Sequence, residues 1–283
     1  MSVTVFLFKL ATMPAVMTAA TLSARRFGPA VGGLVLGLPV VSGPVSLFLA
    51  IEQGEAFARA AATGSLLGLV ALAAFCAGFA HAARRGARWP LALLTGYGTH
   101  AIVTFALTRL PALETVAALV SCAGIVAAIL ACPRPRALAH APRPPRWDLP
   151  GRIVVATAFM VAVTLAAETA GPLLSGVATT FPIMIAVAGP FVLRVEGAEA
   201  AIAVMRGCVQ GLFSFVLFFL VLQWSLGPLS LVAAYLLALV ASLACGAVLL
   251  ALQRWRRAAR AIRARGIRSG CRVDDRSVAR PAS

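Results

Sequence analysis

The chain has 283 residues, 61% of them hydrophobic and only 12% charged, with a mean hydropathy of +0.94. That balance excludes an ordinary soluble domain. The net charge of +16 would suggest a nucleic-acid partner in a soluble protein, but here the basic residues fall in alternate loops between apolar runs, as on the inner face of a membrane protein.

Apolar runs of about 20 residues recur along the chain, each long enough as a helix to cross a hydrocarbon core of roughly 30 Å. Every backbone polar group must be satisfied internally in lipid, which leaves helices or a closed barrel, and the period-2 alternation of a barrel is absent. The expected fold is therefore all-α, a polytopic integral membrane protein with about nine transmembrane helices. In chain order they are predicted at 3–22, 29–51, 58–81, 90–108, 110–131, 153–170, 172–193, 201–224 and 228–251. The first run has no basic n-region and reads as a retained helix rather than a cleaved signal. Residues 133–151 form a Pro/Arg-rich linker. The tail 254–283 begins as a helix in which Arg254, Trp255, Arg256 and Arg257 suit anionic headgroups, with disorder expected beyond Arg268.

One stretch is used twice. Gly28-Pro29, Gly33, Pro39, Gly54, Gly64 and Gly68 return 143 residues later as Gly171-Pro172, Gly176, Pro182, Gly197, Gly207 and Gly211. Met17, Thr21, Leu22 and Phe75 return at the same shift as Met160, Thr164, Leu165 and Phe218. Matched Gly and Pro are harder to dismiss as chance products of an Ala/Leu/Val-rich composition, because each imposes a particular backbone behaviour. The fourth helix repeats at a shift of 138, which pairs Pro90 with Pro228 and Tyr97 with Tyr235, the two tyrosines of the chain. The expected organisation is a four-helix repeat (1–109), a connecting helix (110–132), the linker (133–151), a second four-helix repeat (152–253) and the basic tail (254–283). Because five helices precede the second unit, it enters the membrane from the opposite side. That is the inverted-repeat plan of many secondary transporters.

Of 25 Lys and Arg residues, only Lys9, Arg59 and Arg109 fall in segments that a cytoplasmic C-terminus places outside. The expected location is the bacterial cytoplasmic (inner) membrane, with the N-terminus outside and the C-terminus cytoplasmic. Reporter fusions after Arg88 and Arg146 should both read cytoplasm and one after Glu55 should read outside; two contrary signals would sink this topology.

Helices two and seven hold corresponding places and both are interrupted, by Pro39 with Gly43-Pro44 and by Pro182 with Gly189-Pro190. Paired Gly/Pro-interrupted helices in two inverted halves point to a binding site near the midplane. Its candidate residues are Pro39, Ser42, Gly43, Pro44 and Ser46 from one unit and Thr179, Thr180 and Pro182 from the other. The plainer alternative is that Gly and Pro only permit close packing, and that reading is preferred for the Gly64/Gly68 and Gly207/Gly211 pairs. Candidates for coupling or gating are Lys9 and His100 within spans and Glu52 and Glu196 beside them. Against this, Lys9 can snorkel outwards, and the glutamates can be solvated loop residues neutralised by Arg59, Arg194 and Arg206 nearby in sequence.

No His/Glu metal spacing, nucleophile elbow or phosphate loop is present, so no catalytic residue, metal or cofactor is expected. The six cysteines lack CxxC spacing and read as reduced small hydrophobes. Expected partners are the lipid bilayer and a small-molecule solute, with no nucleic acid; a homodimer is compatible.

The stretch Gly33-Leu34 to Leu38-Pro39 in the second helix resembles the corresponding stretch of small bacterial membrane proteins of the GlpM type. The doubled, inverted plan is similar to that of the drug/metabolite transporter superfamily, whose usual doubled form has ten helices rather than two fours and a connecting fifth. The second resemblance implies a secondary transporter or exporter of a small neutral or amphipathic solute. The first implies a non-transporting accessory protein of envelope biogenesis.

Overall fold

The computed structural model describes residues 3–39, 42–109, 114–136, 145–169 and 182–277, and among them the architecture is all-helical, with one isolated bridge between Leu226 and Leu229. The helices are α1 (Val3–Phe27), α2 (Pro29–Leu36), α3 (Ser42–Gln53), α4 (Glu55–Arg84), α5 (Trp89–Leu107), α6 (Glu114–Ala131), α7 (Asp148–Thr169), α8 (Ile183–Val195), α9 (Ala198–Ser225) and α10 (Leu231–Ser277). Four stretches are long and apolar enough to cross a membrane: α4, α5, α9 and Leu231–Trp255 of α10. Shorter apolar helices run over Thr115–Ala131 and Ile183–Val195.

Two long helices form the centre. α4 and α9 pack against each other and run antiparallel: Thr63 meets Gln223 near one end, and Arg84 meets Glu199 near the other. About two-thirds of each apolar stretch is buried (67% and 61%), against 17% for α5, whose Leu91, Leu94, Ile102 and Phe105 face outwards. Each central helix starts from a glycine with positive φ, 87° at Gly54 and 90° at Gly197, a backbone that L side chains rarely adopt. Each also begins with an acidic residue in its first turn, Glu55 or Glu199, where the helix dipole favours negative charge.

Helices in lipid gain little from hiding apolar surface, so close contact between small residues has to hold them together. α2 crosses α9 in this way. Any Cβ on Gly33 would strike the Val204 backbone, and one on Gly207 the Ala30 backbone. Likewise Gly37 and Gly211 face each other, a Cβ on Gly37 coming within 2.9 Å of the Gly211 Cα. The packing role expected of Gly207 and Gly211 is thus observed, with α2 as the partner. Among the described residues nothing approaches Gly64.

Contacts divide the chain into residues 1–246 and 247–283. The second unit continues α10 as an Ala/Arg-rich helix to Ser277, beyond the limit expected near Arg268. Ala and Arg are strong helix formers, and no proline intervenes before Pro281.

Candidate functional site

The second predicted helix is two helices. α2 stops at Leu36, Gly37 caps it, Pro39 is buried in the turn, and α3 starts at Ser42. The freed carbonyls are largely taken up locally. Gly37 N–H donates to the Gly33 and Leu34 oxygens at 3.2 and 3.0 Å, Leu38 N–H to Val35 at 3.3 Å, and Gly43 N–H to Pro39 at 3.0 Å. On the other side α8 starts directly after Pro182, which is buried and accepts from Ala186 N–H at 2.9 Å. Thr179 and Thr180 lie outside the described residues, as do the side chains of Ser42, Pro44, Lys9 and Glu52.

Around α3 the site gains two aromatic residues. Ser46 Oγ hydrogen-bonds the Gly43 carbonyl at 3.0 Å and the Tyr235 hydroxyl at 3.1 Å. The Phe218 ring lies against Gly43 and meets Tyr235 edge-on, with centroids 6.1 Å apart at 65°. Phe75 and Tyr97, which match Phe218 and Tyr235 at the sequence shifts, also meet edge-on, at 5.0 Å and 67°. Gly189, which corresponds to Ser46 at the 143-residue shift, faces Phe79 and Met205. His100 is buried on the stripe of α5 with Ala92 and Gly96, a stripe that packs on Phe75 of α4.

A groove of about 650 Å³ sits between α6, α9 and α10, lined by Thr115, Leu119, Gln223, Ser225 and Leu237, with Trp224 exposed at its rim. A second void of about 10 Å³ has room for a single water, and lies between α1, α2, α7, α8 and α9.

The charged residues differ most from expectation. Glu55 pairs with Arg59 at 3.6 Å as anticipated, but Glu196 pairs with Arg152 at 3.6 Å and Glu199 with Arg84 at 3.2 Å. The nearby Arg194 and Arg206 are not those partners. Arg206 instead donates to the carbonyls of Ile129 and Cys132 at 2.8 and 2.6 Å, closing the C-terminus of α6. Arg59 does the same for α9 through Gln223 and Leu226. A cation is favoured at a helix C-terminus, where carbonyls lack partners and the dipole is negative.

Asp148, Arg152 and Arg25 form a network with Glu196, buried at Asp148 and Arg152, that the sequence reading did not single out. Arg152 Nε donates to Asp148 Oδ1 at 3.0 Å, and Arg25 Nη2 donates to Asp148 Oδ2 at 3.1 Å. Asp148 is wholly buried and Arg152 is 3% exposed, with its guanidinium 5.8 Å from the Phe191 ring centroid. Burial holds the Glu196 carboxyl above its ordinary range, against the opposing pull of Arg152. Burial also pushes the Cys132 thiol up to about 11, although Arg206 acts in the other direction. Among the described residues no group of three His, Cys, Asp or Glu side chains is placed to hold a metal, and Cys76, Cys122, Cys132, Cys208 and Cys245 are unpaired.

Comparison with known proteins finds no matching family model, no matching curated protein and no matching solved structure.

Proposed function

We propose that this chain is a multi-pass protein of the bacterial cytoplasmic membrane, N-terminus outside and C-terminus cytoplasmic, built from two inverted four-helix units. Its function in this reading is secondary transport or export of a small neutral or amphipathic solute by alternating access between the units. The observation that carries the reading is the recurrence of one contact: Phe75–Tyr97 and Phe218–Tyr235, matched by the sequence shifts, are both edge-on pairs, and their phenylalanines lie on α4 and α9, which run antiparallel. Inverted units would place such equivalents on either side of a shared site. The solute would meet hydroxyls and aromatic edges at Ser46, Tyr235 and Phe218, close to the buried turn at Pro39, which suits an uncharged or weakly polar molecule.

The tight α2–α9 crossing also fits the second reading, an accessory protein of envelope biogenesis, because a rigid glycine crossing needs no pathway. One experiment separates them. Cysteines placed at positions 42, 46, 179 and 180 in a variant lacking the native cysteines should react with a membrane-impermeant thiol reagent, and proteoliposomes should show solute flux that substitution of Pro39 or Pro182 stops. Four unreactive positions beside reactive loop controls would reduce the breaks to packing features. A deletion strain with an envelope defect, no flux and a co-purifying partner would favour the accessory role.

A further inference from the structure

Arg152 is a deeply buried cation shared by two carboxylates from different helices. Its Nη2 lies 3.0 Å from Asp148 Oδ1 and 3.6 Å from Glu196 Oε1, and has hydrogen-bond geometry to neither. Arg25, from the end of α1, reaches the other Asp148 oxygen. The network therefore ties the C-terminal end of α1, the N-terminal end of α7 and the residue that caps α8. One or two turns further in lies the water-sized void. Its walls are Met17, Ala20, Thr21 and Ala24 of α1, Gly32 and Leu36 of α2, Ala188 and Val192 of α8, Val204 of α9 and Arg152 itself.

We propose that Arg25, Asp148, Arg152 and Glu196 form the cytoplasmic gate of the pathway, and that Glu196 is its proton-binding site; the inference rests on the transport reading above. The two ion pairs of Arg152 are unequal. Asp148 holds it at contact distance, whereas Glu196 is further away and partly open to solvent. Glu196 is thus the member of the network that can exchange a proton, and it connects α8 to α7. The charged groups facing it are Arg152 and Asp148 on α7 and Arg25 on α1. The walls contributed by α2 and α9 are apolar or glycine.

The direction of coupling follows from linkage. In this closed arrangement burial holds the Glu196 carboxyl above its ordinary range. Exposure to water on opening would return it to that range. A proton consequently binds the closed state more tightly, so acid favours closure and opening to the cytoplasm releases the proton. No bond other than the O–H of Glu196 is made or broken.

The test reads access without needing the solute. Ala188 lines the void, and Ala188→Cys in a variant lacking the six native cysteines should be labelled from the cytoplasmic side of inside-out vesicles by an impermeant thiol reagent. After correction for thiol ionisation with an exposed loop cysteine, labelling should be at least about five-fold faster near pH 8 than near pH 5, the low end of usual coupling factors. Glu196→Gln should hold labelling at the slow, acid value throughout, and Glu196→Asp should keep the pH dependence if the Gln variant is poorly assembled. Labelling that ignores pH, or that keeps its pH dependence in Glu196→Gln, overturns the proposal. Flux in proteoliposomes with pH-indifferent labelling would remove the gate and leave transport standing. Glu196-dependent labelling without flux would do the reverse.

Discussion

Alanine at Gly33 or Gly207 should destabilise the protein by about 1–3 kcal/mol, the usual cost of forcing a methyl into a closed contact, and leucine at Gly207 should abolish the assembled fold. The crossing of α2 and α9 brings backbone against backbone: a Cβ on Gly33 meets the Val204 oxygen, carbonyl carbon and Cα, and one on Gly207 meets the same three atoms of Ala30. No side chain is available to swing aside, so the helices themselves have to part. Parting them forfeits the dispersion contacts of α2 along its whole buried face, Val31 to Leu34. Gly64 and Gly98 provide the controls. Both are helical with nothing within 4 Å, so alanine there should be neutral or should stabilise by about 0.5–1 kcal/mol through helix propensity. Thermal melts in detergent followed by size-exclusion profiles give the ranking. Equal melting temperatures for Gly33→Ala and Gly64→Ala would contradict the crossing.

The helical plan was legible because composition and apolar length are averaged over some 20 residues, so errors of a turn do not matter. Described helices lie within each predicted span, the second of them split in two at Pro39 where proline chemistry puts the break, and the seventh described only from Ile183. The partner of each glycine face was not legible. Spacing says that Gly207 and Gly211 share a face, but which helix lies on it depends on contacts between distant parts of the chain. Tyr97 and Tyr235 were visible as markers of the repeat. Their pairing with Phe75 and Phe218 emerged once the four positions were placed in space.

For the charged residues, one turn of helix made the difference. The sequence puts residues 133–151 in a linker and the next helix at 153, whereas α7 starts at Asp148. That earlier start puts Asp148 and Arg152 one turn apart on the same face, and both become buried. The i, i+4 acid–base spacing was present in the sequence, but a Pro/Arg-rich surrounding gave no reason to read it as helical. In the sequence Glu196 stands out as a glutamate beside a span, but its nearest arginine in sequence, Arg194, is not its partner.

Arg152→Met should be the most damaging single substitution in this network, costing about 3–5 kcal/mol, as is usual when one partner of a buried pair is removed. It leaves Asp148, whose side chain is 1% exposed, with Arg25 as its remaining cation, and Arg25 is itself 39% exposed and correspondingly screened. Asp148→Asn should hurt for the converse reason, since Arg152 would then depend on the more distant Glu196. Combining the two substitutions removes both buried charges at once, and the double variant should recover most of the loss. The double-mutant cycle should therefore give a coupling energy well above the roughly 0.5 kcal/mol expected of independent sites. Glu196→Gln should cost little or even stabilise near neutral pH, because burial already disfavours its charge. Its effect should also depend on pH. A carboxyl held above its ordinary range in the folded state adds stability as the pH falls through that raised value, and the Gln variant should lack this gain. Additive losses for Arg152→Met and Asp148→Asn, with no recovery in the double variant, would mean that the two side chains act independently. The network would then not be the clamp that joins α1, α7 and α8.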